Sequence, residues 1–153
     1  MDFKIARKNM VENQIRANKV TSLNVINAFL DVPREKFVPD ALQEISYVDE
    51  DIQLSRNRFM MKPMILARLF QSLNLKGNEN ILHVGSNSGY GSAILSRMCS
   101  SVISLESDKK LFETSIHTFS NMGFDNVVPL HGSMENGVEK EAPFDIIFIE
   151  GSI

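Results

Sequence analysis

The sequence predicts an α/β fold: a helical region over residues 1–76, followed by a doubly wound parallel sheet over 77–153, the two forming one structural domain. Three observations carry that expectation. After Gly77, short apolar runs alternate with helix-length amphipathic segments, which is the pattern of right-handed βαβ units. Before it, apolar residues recur at helical spacing, with prolines and capping residues at the breaks. Between the first apolar run and the helix after it lies a glycine-rich turn, "GSNSGYG" (85–91), placed where such sheets bind ligands.

The elements follow in order. Asp2 can cap a first helix whose apolar positions are Ala6, Met10 and Val11. Thr21 or Ser22 can cap a second, with Val25, Ile26, Phe29 and Leu30 inward, and Pro33 stops it. "VPREKFVPDAL" reads as a short helical turn between Pro33 and Pro39. Pro63 suits the first turn of a third helix, "KPMILARLFQSL". Strands are expected at 80–84, 101–106, 126–130 and 144–150. Between them, residues 88–99 read as a helix with Ala93, Ile94 and Met98 inward. Another helix, capped by Asp108 and ended by Gly123, carries Leu111, Phe112, Ile116 and Phe119.

Two strand compositions predict the topology. Pro129 removes a ladder donor from the third strand and places it at an edge. "DIIFIE" lacks alternation and reads as a central strand covered on both faces. The strand order 3-2-1-4 accommodates both, and it puts the topological switch point between the first and fourth strands.

Composition narrows the function classes. Of 153 residues, 43% are hydrophobic and 23% charged, as in an ordinary globular protein. The net charge of −3 offers no basic footprint for nucleic acid. No apolar run reaches membrane-spanning length, and the charged N-terminus lacks a signal-peptide core. The lone Cys99 cannot pair within the chain and argues against a zinc site. The expectation is a cytoplasmic protein, with Cys99 a small buried hydrophobe in the 88–99 helix.

The glycine spacing distinguishes two cofactor classes. A dinucleotide fingerprint places its last glycine five positions after the first. Here Gly89 is four after Gly85, the spacing of S-adenosylmethionine loops, and the nicotinamide reading is correspondingly weak. Asn87 occupies the middle position, and asparagine tolerates the positive φ a glycine would supply. Glu106 ends the second strand, at the distance where an acid hydrogen-bonds ribose hydroxyls.

At these residues the chain resembles the protein-L-isoaspartate O-methyltransferases. The stretches that carry the resemblance are "MVENQIRANKVT", "VPREKFVPDAL", "YVDEDIQL", "KPMILARLFQSL", "NILHVGSNSGYGSAIL", "VISLE", "NVVPLHGSM" and "APFDIIFIEGS", spread in order over essentially the whole chain. The resemblance implies a Rossmann-like methyltransferase sheet. It also implies methyl transfer from S-adenosylmethionine to the carboxylate of an isoaspartyl residue in damaged protein. It maps the cofactor onto His83, Gly85, Ser86, Asn87, Ser88, Gly89 and Tyr90, with Glu106 on the ribose and Gly132 and Ser133 at the adenine. His117 and His131 are expected to be surface or packing residues.

Four positions depart from the family's pattern. His83 replaces an acid that supports the positive methionine end of the cofactor, and would repel it if protonated. Asn87 replaces a glycine. Ser133 replaces an aspartate that accepts from the adenine amino group. Phe59-Met60-Met61-Lys62-Pro63 stands where the pattern reads Thr-x-Ser-x-Pro, so Met61 replaces a hydroxyl that meets the substrate. Met61, Lys62 and Glu150 are the substrate-side candidates. The chain stops soon after the fourth strand, where the family continues. That predicts missing C-terminal strands, with 144–150 pairing to a second copy or to the missing segment. The alternative to an active enzyme is an impaired or inactive remnant of the family.

Overall fold

The computed structural model describes residues 1–151. The chain packs as two compact units, Met1–Asn74 and Leu75–Ile153.

The first unit is helical with one hairpin. Helix α1 (Phe3–Met10) is capped by Asp2, whose carboxylate accepts from the amides of Lys4 and Ile5 at 3.0 and 3.2 Å. It runs into a π-helical turn over Val11–Ile15 that buries both end residues. Ala6 is only half-buried. Helix α2 (Leu23–Asp31) starts after Ser22, but neither Ser22 nor Thr21 caps it through its side chain. Instead the Gln71 side chain accepts from the amides of both, at 2.8 and 2.9 Å. Val25, Ile26 and Phe29 are buried as expected, while Leu30 is half-buried. "VPREKFVPDAL" forms two 3-10 turns, Arg34–Phe37 and Asp40–Ile45.

The hairpin of β1 (Ile52–Ser55) and β2 (Arg58–Met60) pairs Ile52 with Met60 and Gln53 with Phe59. Strands of four and three residues are too short for alternation to register in the sequence. Helix α3 (Pro63–Ser72) then begins with Pro63 in its first turn and buries Leu66, Ala67 and Phe70. The Phe70 ring lies 6.4 Å from that of Phe29.

A buried polar cluster ties this unit together. Arg34 is fully buried; its Nε donates to the Ser46 carbonyl at 2.6 Å and its Nη2 to the Met61 carbonyl at 3.1 Å. Arg7 pairs with Glu35 at 3.2 Å and donates to the Tyr47 hydroxyl at 3.0 Å. That hydroxyl in turn donates to Glu35. Burial, more than any neighbour, pushes the Tyr47 phenol above its ordinary pKa.

The second unit is a four-stranded parallel sheet of β3 (Asn80–Val84), β4 (Ser101–Glu106), β5 (Val127–His131) and β6 (Ile146–Ile149), in the order β5-β4-β3-β6. This is the expected 3-2-1-4, with the third and fourth strands shorter or shifted by one or two residues. Pro129 lies in β5, which pairs only with β4 among the described residues, so the strand needs ladder bonds on one side alone. β6 pairs with β3 alone among the described residues. Its composition suggested cover on both faces, yet Ile147 and Ile149 are 60% and 43% exposed.

Helix α4 spans Tyr90–Ser96, shorter than the expected 88–99. The 85–89 turn claims the first residues, and Cys99 lies beyond the helix. Cys99 is half-buried rather than buried, with its thiol 3.5 Å from the Ser101 carbonyl. Helix α5 (Lys109–Met122) is capped by Asp108, which accepts from Leu111 N at 3.0 Å, and ends at Gly123 with φ +71°. Its buried stripe is Leu111, Ser115 and Phe119; Ile116, expected inward, is exposed and Phe112 is half-buried. On one sheet face Leu82, Val84 and Leu105 form a core with Ile103, Leu130, Met134, Val138 and Phe144 around it.

Candidate functional site

The sheet order places a crossover at the C-terminal ends of β3 and β6, and the turn after β3 opens α4 there. The turn has the backbone its spacing predicts. Gly85, Asn87 and Gly89 all adopt left-handed φ, at +74°, +56° and +97°. Asparagine therefore does supply the conformation of the missing middle glycine. Gly85 N and Ser86 N both donate to the Leu105 carbonyl, at 2.9 and 3.2 Å, which seats the turn against β4. Gly89 has a packing reason as well: a Cβ there would stand 2.3 Å from Cζ of Phe119.

The two acidic strand ends close on this turn from either side. Glu106 is fully buried and accepts from Asn87 N at 2.8 Å and Asp108 N at 2.9 Å. Glu150 follows β6, is almost fully buried, and accepts from Asn87 Nδ2 at 2.6 Å. The Asn87 backbone thus meets one carboxylate and its side chain the other.

His83 stands on β3 beneath the turn, fully buried and paired in register with Ser104 of β4 and Phe148 of β6. Its Nδ1 is 2.7 Å from the Ser92 hydroxyl, which hydrogen-bonds the Ser104 hydroxyl at 3.0 Å. The tautomer follows the direction of this chain: Nδ1 donates when Ser92 donates to Ser104, and accepts when Ser104 donates to Ser92. Nε2 is buried without a hydrogen-bond partner, as is the Ser88 hydroxyl. Burial pushes the His83 imidazole down to about 3. The ring is therefore neutral throughout the physiological range, and the protonation that would make it repulsive does not occur there.

The remaining candidates are placed as follows. Ser86, Ser88 and Tyr90 are buried. Gly132 N donates to the Glu106 carbonyl at 3.2 Å, and Ser133 is exposed just after β5. Met61 and Lys62 belong to the first unit; Met61 is fixed through its carbonyl to Arg34, and Lys62 N donates to Asp51 at 2.8 Å. His117 and His131 are exposed, the latter stacked on Phe112. Ser92, Ser104 and Gly91 join the site only in the folded chain. The one available signal was Ser104, a polar residue inside an apolar strand. Among the described residues, no helix is long and apolar enough to cross a membrane, and no three metal-binding side chains gather.

Comparison with known proteins places this geometry. The model of the protein-L-isoaspartate(D-aspartate) O-methyltransferase family matches residues 5–152. A protein-L-isoaspartate O-methyltransferase 2 of Anaeromyxobacter sp. (strain Fw109-5) is 34% identical over 94% of this chain and 59% of its own length. One of Shewanella sediminis is 33% identical over 97% of this chain and 61% of its own. The chain thus spans about three-fifths of the length of these relatives. A solved Plasmodium falciparum protein, described as a protein-L-isoaspartate O-methyltransferase and in complex with S-adenosyl-L-homocysteine, superimposes with a TM-score of 0.78. It is 26% identical, and the match covers 94% of this chain and 72% of that one. The fold is the Rossmann-like fold of S-adenosylmethionine-dependent methyltransferases, and the chain belongs to the protein-L-isoaspartate(D-aspartate) O-methyltransferase family.

Proposed function

We propose that this chain binds S-adenosylmethionine and transfers its methyl group to the carboxylate of an isoaspartyl-type residue in a protein or peptide. The observation that carries this reading is the turn after β3. Its residues 85, 87 and 89 hold left-handed φ, and Glu106 bonds directly to the turn's central amide. Membership of the family supplies the reaction class. It favours an active enzyme, and nothing in the matches speaks for an inactive remnant.

In this reading Gly85, Ser86, Asn87, Ser88, Gly89 and Tyr90 cradle the cofactor, with His83 beneath them and Glu106 on the ribose. Gly132 and Ser133 lie at the adenine, where a serine hydroxyl accepts more weakly than a carboxylate. The buried, unpartnered Ser88 hydroxyl and His83 Nε2 fit a polar ligand. When bound, S-adenosylmethionine supplies an electrophilic methyl group on a sulfonium. No side chain here has to remove a proton, because a carboxylate acceptor is already ionised at pH 7. The work left to the chain's residues is in-line placement and exclusion of water. Met61 and Lys62 are the substrate-side residues, Lys62 as a positive charge for the acceptor carboxylate. The helical region 1–76 would serve substrate and the Rossmann-like region 77–153 cofactor. The lone Cys99 suits a reducing, cytoplasmic setting.

Titration calorimetry with S-adenosylmethionine tests the cofactor assignment. Binding is expected, weakened at least tenfold by Glu106→Ala in a variant that still melts cooperatively. Transfer of labelled methyl to an isoaspartyl peptide, and not to its aspartyl counterpart, tests the acceptor. No heat with millimolar cofactor overturns the whole reading, while binding without selective transfer overturns the acceptor alone.

A further inference from the structure

The peptide unit between Met61 and Lys62 is gripped on both sides. Its carbonyl accepts from Arg34 Nη2 at 3.1 Å, and its N–H donates to Asp51 Oδ1 at 2.8 Å. The two holders come from separate segments of the first unit: Arg34 opens the 3-10 turn Arg34–Phe37, and Asp51 directly precedes β1. The Lys62 carbonyl is engaged as well, by Leu66 N at 3.2 Å in the first turn of α3, and Pro63 has no N–H to satisfy. With its backbone fixed by three segments, the half-buried Lys62 keeps only its side-chain torsions.

Arg34 is itself held in place. It is fully buried, its Nε donates to the Ser46 carbonyl at 2.6 Å, and its backbone N–H donates to the Tyr47 hydroxyl at 3.1 Å. That hydroxyl is bonded in turn to Arg7 and Glu35. A guanidinium presents its donors in a rigid planar fork, so bonding Ser46 and Met61 together sets the separation of those two segments. Asp51 differs in being exposed. A single bond in contact with water adds little to stability, so its main consequence is where it puts residue 62.

We infer that Arg34 and Asp51 are positioning residues for the methyl acceptor: clamping the Met61–Lys62 peptide from both sides, they fix the point from which Lys62 presents its ammonium to the acceptor carboxylate. This rests on the substrate-side role given to Lys62 above. Both residues act through the backbone of 61 and 62. Two consequences set this apart from a merely structural duty. Asparagine at 51 retains an acceptor for Lys62 N, whereas alanine has none. Once residue 62 carries no charge, the clamp on its backbone no longer matters to a carboxylate.

Initial rates of methyl transfer to an isoaspartyl peptide, with the whole chain at saturating S-adenosylmethionine, provide the test. Asp51→Ala is expected to raise the peptide KM roughly fivefold to tenfold while kcat stays within about twofold. Asp51→Asn is expected to keep KM within about threefold of wild type. Lys62→Met raises KM by itself, and adding Asp51→Ala to it changes KM no further. Arg34→Lys keeps the charge but loses the fork, and raises KM as Asp51→Ala does. Calorimetry with S-adenosyl-L-homocysteine is expected to give the same affinity for wild type and Asp51→Ala. An unchanged KM in Asp51→Ala, asparagine as poor as alanine, the full Asp51→Ala effect persisting beside Lys62→Met, or a matching loss of cofactor affinity each overturns the proposal. Asp51 lies at the surface, so these outcomes do not depend on whether the buried Arg34 variant folds. If wild type transfers no methyl to the peptide, the functional reading falls and this proposal with it. An unchanged KM in Lys62→Met removes the role of Lys62 and the clamp's purpose, and leaves the cofactor assignment standing.

Discussion

Asn87 joins the two acidic strand ends: its backbone amide donates to Glu106 at 2.8 Å and its side-chain amide to Glu150 at 2.6 Å. One residue in a left-handed conformation thus serves both as the turn's substitute glycine and as a clasp between β4 and the end of β6. Substitution separates the two duties. Asn87→Gly keeps the backbone and loses the clasp, whereas Asn87→Ala loses the clasp and adds left-handed strain. We expect losses of about 1 kcal/mol for glycine and about 2 kcal/mol for alanine. Urea unfolding at pH 7 measures both, and alanine proving no worse than glycine would refute the strain component.

His83 gives stability a pH dependence of known sign. Its folded pKa is depressed to about 3, from an unfolded value near 6.5. Above pH 6.5 neither state binds the proton, so the buried neutral ring costs nothing in protonation. As pH falls below 6.5, the unfolded chain takes up a proton that the folded chain refuses. Stability from this group therefore declines by roughly 1 kcal/mol per pH unit down to about pH 3. His83→Gln should flatten the difference in unfolding free energy measured between pH 7 and pH 5. An unchanged slope would mean that another group titrates there.

Gly89 combines a positive φ with a ring packed where its Cβ would be. Gly89→Ala is expected to cost about 3 kcal/mol, part from the left-handed alanine and part from displacing Phe119. Phe119→Leu removes the ring and should recover only the crowding share. A double-mutant cycle by chemical denaturation measures this, and a coupling energy near zero would show that Phe119 moves aside at no cost.

Cys99 should react slowly. Partial burial, with a smaller contribution from the Glu79 charge, pushes its thiol up to about 12, so little thiolate exists at pH 8. Labelling with a thiol-disulfide reagent at pH 8 is expected to be at least tenfold slower in native protein than in urea-unfolded protein. Comparable rates would show that the segment after α4 opens readily.

Much of this protein was legible in its residues. The parallel order followed from Pro129 and the apolar 144–150 run. The left-handed turn followed from glycine spacing and the tolerance of asparagine, and the start of α5 from Asp108. These are local properties: backbone sterics, capping and a missing ladder donor act wherever the residue sits. What the sequence could not supply was anything that depends on which side chains meet. Thr21 and Ser22 looked like caps, but Gln71, nearly fifty residues away, takes their amides. Ile116 fits the helical period, yet the sheet buries Ser115. His83 read as a lost carboxylate that would repel the cofactor only if protonated, and burial keeps it neutral. Glu150 read as a substrate-side candidate, and β3–β6 pairing places it beside Gly91 and Asn87. Solvation and hydrogen bonding set the charge and direction of a polar group, and both are fixed by residues distant in sequence. Residue types and spacing therefore determined the family and the turn, while only the packed sheet decided where the turn's negative charge resides.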